Sequence, residues 1–136
     1  MKEETSAAQK LQELIKIMKR LRSPDGCKWD KAQTHKSLIK CLREEAREVV
    51  AAIENKDDEN LKEELGDLLL QIVFHSAIAR EENRFTLSEV IDGLNKKLLR
   101  RHPHVFGGAK ASTPQEALAH WREIKKREKA AKQTLK

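Results

Sequence analysis

Two short acidic motifs lie at mirror-related distances from Lys56, and this symmetry constrains the fold more than any other feature of the chain. Glu48 and Glu64 each lie eight residues from Lys56, while Glu45 and Asp67 each lie eleven residues from it. A chain that reverses near Lys56 as an antiparallel helical hairpin therefore brings Glu48 level with Glu64, and Glu45 level with Asp67. The two levels are about 4.5 Å apart along the helix axis at the usual rise per residue.

Four carboxylates that converge in this way repel one another, so the hairpin requires a neutralising cation. Apolar residues flank Glu45 and Glu64 at helical spacing, which argues against an ordinary solvated face for these two acids. For Glu44, a position on the solvated face of its helix is at least as good an interpretation as a functional role. Hard divalent cations prefer all-oxygen ligand sets. The pattern thus predicts a Mg²⁺ site, with Mn²⁺ as an acceptable substitute, formed by Glu45, Glu48, Glu64 and Asp67.

Apolar spacing and capping signals predict an all-α chain of about five helices. The first three helices are expected over roughly residues 6–21, 36–54 and 58–82. Capping boxes that begin at Thr86 and Thr113 start the fourth and fifth helices, and the fourth helix ends before Pro103. Because no β-alternation or internal repeat is visible, we expect one antiparallel bundle over residues 1–127, followed by a frayed basic tail over residues 128–136.

Charge is divided unevenly along the chain. Residues 1–95 carry 16 basic and 19 acidic side chains, whereas residues 96–136 carry 12 basic and 3 acidic ones, which is a net +9. A basic region suits either a phosphate-bearing substrate or a nucleic acid. No recognised DNA-reading motif occurs, so a nucleic-acid partner is not expected. A basic helical nucleic-acid-binding or regulatory interaction module without catalysis is the alternative hypothesis.

The chain also carries signals about its cellular compartment. Cys27 and Cys41 do not form a disulfide framework, so reduced thiols are expected. No apolar run approaches the length of a membrane span, and the first residues lack the apolar segment of a signal peptide. We therefore expect a soluble, cytoplasmic protein.

Three groups of residues outside the acidic motifs are candidates for substrate binding. Trp29, in a polar loop, is either a core lid over helix ends or a platform for a nucleobase. Lys97 and Arg101 share a helix face, where they either complement the helix dipole or clamp phosphates. Trp121 and Lys125 have the same spacing one helix later, and a core Trp beside a surface Lys is an equally good interpretation.

These residues together resemble a known family. Glu44-Glu45-x-x-Glu48 followed by Glu64-x-x-Asp67 is similar to the pattern of the MazG-type nucleoside triphosphate pyrophosphohydrolases. The resemblance covers about residues 11–127 and includes Leu21-Arg22, Cys27-x-Trp29-Asp30-x-x-Gln33-Thr34-His35, Arg100-Arg101-His102-Pro103-His104-Val105-Phe106 and Trp121-x-x-Ile124-Lys125. Lys28 replaces a proline that is usual in the family, so the loop is expected to be less rigid and base selectivity is left open.

The resemblance implies both a fold and an activity. The implied fold is all-α, with a core completed by helix packing between subunits in a homodimer or a higher oligomer. The implied activity is Mg²⁺-dependent hydrolysis of a (deoxy)nucleoside triphosphate at the α-phosphorus, which yields the monophosphate and pyrophosphate. The implied phosphate or base contacts come from Lys97, Arg101, Trp121 and Lys125. Either Glu44 or one of the metal-cluster acids, such as Glu45, would take the proton of the attacking water.

Overall fold

The computed structural model describes residues 2–134 of the chain, and seven helices form its regular structure in that range. They are α1 (Lys2–Leu21), α2 (Lys28–Ala32), α3 (Ile39–Glu54), α4 (Asp58–Glu81), α5 (Leu87–Arg101), α6 (Pro103–Phe106) and α7 (Pro114–Thr134). No strand occurs within the described range, which confirms the all-α prediction. The chain divides after Leu87 into two compact units. None of the described helices is both long and apolar enough to cross a bilayer.

The long helices agree with their predicted ranges, and the differences have local causes. Helix α3 begins at Ile39 rather than near residue 36 because Thr34 and Ser37 form a side-chain turn before it. In that turn, each hydroxyl accepts a hydrogen bond from the backbone N–H of the other residue, at 2.9 and 3.0 Å. The short helix α2 lies in the segment around Trp29 that was predicted as a loop, and the short helix α6 begins at Pro103, directly after the predicted end of the fourth helix.

Helix α7 extends further than the apolar pattern suggests. It continues as helix through Thr134, into the segment predicted as a tail. The last two residues of that tail lie outside the described range. The boundary after residue 127 and the fraying of the tail therefore stay predictions.

The reversal between α3 and α4 occurs at Lys56, as the mirror symmetry of the acids predicts. Lys56 adopts a left-handed backbone conformation with φ of 53°, which turns the chain immediately after α3. Asp57 then caps α4, because its carboxylate accepts a hydrogen bond from the backbone N–H of Asn60 at 3.2 Å. Helix α4 packs along α3, so the two helices form the predicted antiparallel hairpin.

The first unit has a small apolar core in which α1 and the start of α3 meet the second half of α4. Its most buried members are Met18, Leu38, Val73, Phe74 and Ile78. Met18 and Leu38 are at most 2% exposed, so they anchor α1 and the start of α3 against α4. This core lies toward the C-terminal end of α4 and leaves the end that carries Glu64 for polar contacts.

The loop between α1 and α2 passes close over the end of α1. Any side chain at Gly26 would overlap the backbone carbonyls of Arg20 and Leu21, so only glycine fits that position. The backbone N–H of Cys27 donates to the carbonyl of Leu21 at 2.8 Å. The loop is therefore tied directly to the helix that precedes it.

The second unit contains α5, α6 and α7. Pro103 occupies the first turn of α6, a position that needs no backbone N–H donor. The capping box predicted at Thr113 is present, since its hydroxyl accepts from the N–H of Glu116 at 3.2 Å. The Glu116 carboxylate in turn accepts from the N–H of Ser112 at 2.8 Å. These contacts fix the start of the helix that carries Trp121 and Lys125.

Candidate active site

Three carboxylates from the helical hairpin meet at one place in the first unit. Glu45 and Glu48 project from α3 and Glu64 projects from α4, and one oxygen of each lies within 4.8 Å of the others. We call these three residues the acidic cluster. Asp67 is half-buried and lies outside this three-oxygen group. It is nevertheless close enough to repel all three members electrostatically.

The acidic cluster is partly withdrawn from solvent. Glu64 is only 9% exposed, Glu45 is half-buried, and Glu48 is exposed. One oxygen of Glu45 and one of Glu64 are buried without a hydrogen-bond partner among the described residues. Buried carboxylate oxygens without a partner are strongly destabilising unless a cation compensates them.

All three cluster members have a pKa raised above the usual 4.5. For Glu45, burial is the main cause of the raised pKa, and repulsion from Glu48 and Asp67 adds to it. For Glu48, a hydrogen bond with Glu64 and repulsion from that carboxylate raise the pKa most. For Glu64, the hydrogen bond with Glu48 lowers the pKa, but burial and repulsion from Glu45 and Asp67 outweigh it. The isolated cluster therefore resists full ionisation.

The chemistry of these donors fits a hard divalent cation. The ligand atoms are carboxylate oxygens, they converge, and two of the three side chains have a buried oxygen that lacks a partner. Mg²⁺ binds such oxygen ligands and removes their mutual repulsion. Glu44 lies on α3 with an exposed side chain, and its charge contributes to the raised pKa of Glu48. It is thus close to the cluster without belonging to it.

Trp29 lies on the short helix α2 and is 59% exposed, so it is not a core lid. Its backbone carbonyl accepts a hydrogen bond from the Gln33 side chain at 2.9 Å. Arg22 donates to the carbonyl of Asp30 within α2 and to that of Gln33 directly after it, so the C-terminal end of α2 is held while the Trp29 ring is largely exposed. The available aromatic face suits a flat ligand.

In the second unit, Arg101 and Lys125 lie beside the ring of Trp121, so three of the predicted substrate-binding residues are close together. The Arg101 guanidinium lies 5.4 Å, and the Lys125 ammonium 4.7 Å, from the centre of the Trp121 ring. These cation–π contacts give Trp121 a role in holding the two cations. Lys97 is exposed and makes no ion pair with any described residue.

Glu128 is a member of this second group that the sequence reasoning missed. Its carboxylate accepts from Arg100 at 2.6 Å and from Arg101 at 2.9 Å, and these bonds lower its pKa to about 2. A usable signal was its spacing, since it lies three residues after Lys125 and seven after Trp121 on one helix face.

The sequence matches the MazG nucleotide pyrophosphohydrolase domain over residues 33–106. The chain is 52% identical over 123 residues to the nucleoside triphosphate pyrophosphohydrolase/pyrophosphatase MazG of Thermotoga maritima, which covers 90% of this chain and 47% of that relative. It is 46% identical over 120 residues to the nucleoside triphosphate pyrophosphohydrolase of Escherichia coli K12, which covers 88% of this chain and 46% of that relative. The chain therefore spans less than half the length of these two curated relatives.

The fold is similar to that of a solved protein. The crystal structure of a mazG-related protein from Thermotoga maritima superposes on this chain with a TM-score of 0.70 at 30% sequence identity. The superposition covers 85% of this chain and 98% of that protein.

Proposed function

The chain belongs to the MazG nucleotide pyrophosphohydrolase family, and from that premise we propose that it hydrolyses nucleoside triphosphates at the α-phosphorus. The proposed substrates are ribo- and deoxyribonucleoside triphosphates, and the products are the monophosphate and pyrophosphate. One observation carries the proposal, namely the three carboxylates that converge within 4.8 Å and bury two oxygens without partners.

Glu45, Glu48 and Glu64 would hold a divalent cation, for which we propose Mg²⁺, and Asp67 would add its charge beside them. When bound, the cation would neutralise charge on the phosphate oxygens and would lower the pKa of the attacking water. The water oxygen attacks the α-phosphorus, the bond to the bridging oxygen breaks, and pyrophosphate leaves with that oxygen. Glu44 or a member of the acidic cluster accepts the proton that the water loses.

The cationic group of the second unit supports the choice of a polyphosphate substrate. We propose that Lys97, Arg101 and Lys125 bind phosphate oxygens, because all three are basic side chains and the last two are held over the Trp121 ring. Trp29, whose ring is largely exposed, is the proposed platform for the base.

Solvent oxygen labelling tests the position of attack. In water enriched in ¹⁸O, with a nucleoside triphosphate and Mg²⁺, we expect the label in the monophosphate and none in pyrophosphate, because the attacked phosphorus keeps the new oxygen. Mass spectrometry of both products measures this. EDTA should abolish turnover and excess Mg²⁺ should restore it. Label in pyrophosphate, or release of orthophosphate alone, would contradict attack at the α-phosphorus.

The proposal also includes assembly into a homodimer or a higher oligomer. Helices α3 and α4 each carry exposed apolar side chains at helical spacing, namely Ile39, Leu42, Val50 and Ile53 on the first helix, and Leu65, Leu69 and Ile72 on the second. Clustered exposed apolar side chains usually mark an interface, since covering them removes apolar surface from water. A second copy of this chain is the proposed cover.

Light scattering coupled to gel filtration tests that assembly. We expect the wild type to have at least twice the monomer mass, and Leu69→Glu to shift the protein toward the monomer because a charge then lies at the interface. Ile17→Glu, the same apolar-to-acidic change at an exposed side chain on α1, is the control and should leave the mass unchanged. A monomeric wild type at micromolar concentration would contradict assembly.

A further inference from the structure

A row of buried polar atoms continues from the acidic cluster along α4. Glu64, Gln71 and His75 lie within about 40° of one another around the helix axis, given 3.6 residues per turn. Within the described range, Gln71 Oε1 and His75 Nε2 are buried without a hydrogen-bond partner, as are the oxygens of Glu45 and Glu64 noted above. Unpaired buried polar atoms are rare in native proteins, so four on one hairpin require an explanation.

A chain of hydrogen bonds fixes which nitrogen of His75 carries its proton. The guanidinium of Arg84, which can only donate, contacts His35 Nε2, so that nitrogen is an acceptor. His35 must then carry its hydrogen on Nδ1 and donate it to His75 Nδ1, 2.7 Å away. His75 consequently carries its hydrogen on Nε2. Burial lowers the pKa of His75, so its neutral form is favoured.

The nearby carboxylate does not alter this assignment. Glu82 Oε1 lies 3.7 Å from His35 Nε2, which is beyond hydrogen-bonding distance, and Arg84 also contacts that oxygen at 3.4 Å. The relay of hydrogen bonds from Arg84 through His35 to His75 therefore ends in a buried N–H donor at His75 Nε2. One helical turn earlier, Gln71 is 6% exposed and presents a buried carbonyl acceptor. The two side chains form a donor and acceptor pair spaced about 6 Å apart along the axis.

We propose that Gln71 and His75 bind the edge of the nucleobase and set base preference, an inference that rests on the proposed hydrolysis. The Watson–Crick edges of the bases present donors and acceptors in different orders, so one donor and one acceptor held in fixed positions can favour one base over another. Gln71 lies about 10 Å along α4 from Glu64, toward the C-terminal end of the helix. In that direction Arg22 and Glu81 anchor the segment that carries the exposed ring of Trp29.

Kinetics and binding of an isosteric variant test this inference. Gln71→Met removes the polar atoms but keeps the volume, and we expect it to reduce kcat/KM for the preferred base at least about tenfold while other bases change less. Calorimetry with the monophosphate products should show the same loss of base preference without catalysis. Gln71→Asn keeps the amide but shortens the side chain by one methylene, so it should also reduce kcat/KM for the preferred base. Gln12→Met, at an exposed glutamine of α1, is the matched control.

The possible outcomes are distinct. Unchanged kinetics for all eight common ribo- and deoxyribonucleotides, together with a higher Tm, would overturn the inference, because removing a functionless buried polar atom stabilises a protein. A loss that separates ribose from deoxyribose but is equal across bases would also overturn it. If the wild type hydrolyses nothing, the proposed function fails, and the binding of monophosphates still decides the role of Gln71.

Discussion

Glu64→Gln is expected to reduce the turnover of nucleoside triphosphates roughly a thousandfold while the protein stays folded. Glu64 is the most buried member of the acidic cluster, and one of its oxygens lacks any partner among the described residues. The amide keeps the size of the side chain but removes the charge that attracts a cation. Initial rates at saturating Mg²⁺, with pyrophosphate as the measured product, provide the readout.

The same variant should also change how stability depends on pH. In wild-type protein without metal, the raised pKa of Glu64 means that the folded state binds a proton more tightly than the unfolded state. The stability that Glu64 contributes is therefore fully present below the ordinary pKa of 4.5 and is lost as pH rises through the folded-state pKa. Glu64→Gln should flatten this fall, and Mg²⁺ should reverse it in the wild type only.

Glu63→Gln is the matched control for both measurements. Glu63 is the neighbouring acid on α4, it is exposed, and it does not belong to the acidic cluster. The control should keep wild-type turnover and the wild-type dependence of Tm on Mg²⁺. Full activity of Glu64→Gln would remove this residue from the catalytic machinery.

The spacing of the acids was enough to predict the hairpin. Helical geometry is regular, so equal distances from Lys56 translate directly into equal levels on two antiparallel helices. The levels alone did not show that one oxygen each of Glu45, Glu48 and Glu64 would converge within 4.8 Å while Asp67 lies outside that group, and the role of Asp67 as a metal ligand stays a prediction.

Contacts between segments distant in sequence were harder to predict. Glu128 pairs with Arg100 and Arg101 across 28 and 27 residues, and no periodic pattern connects two positions that far apart. The relay from Arg84 through His35 to His75 likewise requires a loop to fold back onto α4. Sequence periodicity determines faces of single helices, whereas these pairings depend on tertiary packing.

Arg22 illustrates the same limit, since nothing in its local sequence indicates that it is buried. Its side chain is 7% exposed and forms a two-bond fork with Glu81, with Nε 2.7 Å from Oε2 and Nη2 3.0 Å from Oε1. It also donates to the carbonyls of Asp30 and Gln33 and lies 5.4 Å from the centre of the Phe74 ring. One side chain thus joins α1, the α2 segment and α4.

Arg22→Met is therefore expected to lower the free energy of unfolding by about 3 kcal/mol. The loss removes the side-chain donor of the Gln33 carbonyl and one of the two donors of the Asp30 carbonyl, and it leaves Glu81, among the described residues, with Lys31 at 3.4 Å. Breaking a buried ion pair costs about 3–5 kcal/mol, and the 37% exposure of Glu81 places this case at the lower end. Equilibrium unfolding in urea measures the change.

One further variant separates the contribution of the two-bond fork with Glu81 from that of the positive charge, and a second variant is the control. Arg22→Lys keeps the charge but has no planar fork, so it should recover only part of the loss. Arg80→Met, at an exposed arginine of α4 without an ion pair to any described residue, should change stability by less than about 0.5 kcal/mol. If Arg22→Met lost no more than this control, the remaining contacts would be enough to hold the α2 segment, namely the backbone contacts of Gly26 and Cys27 and the Lys31–Glu81 ion pair. The orientation of Trp29 would then not depend on the Arg22 fork.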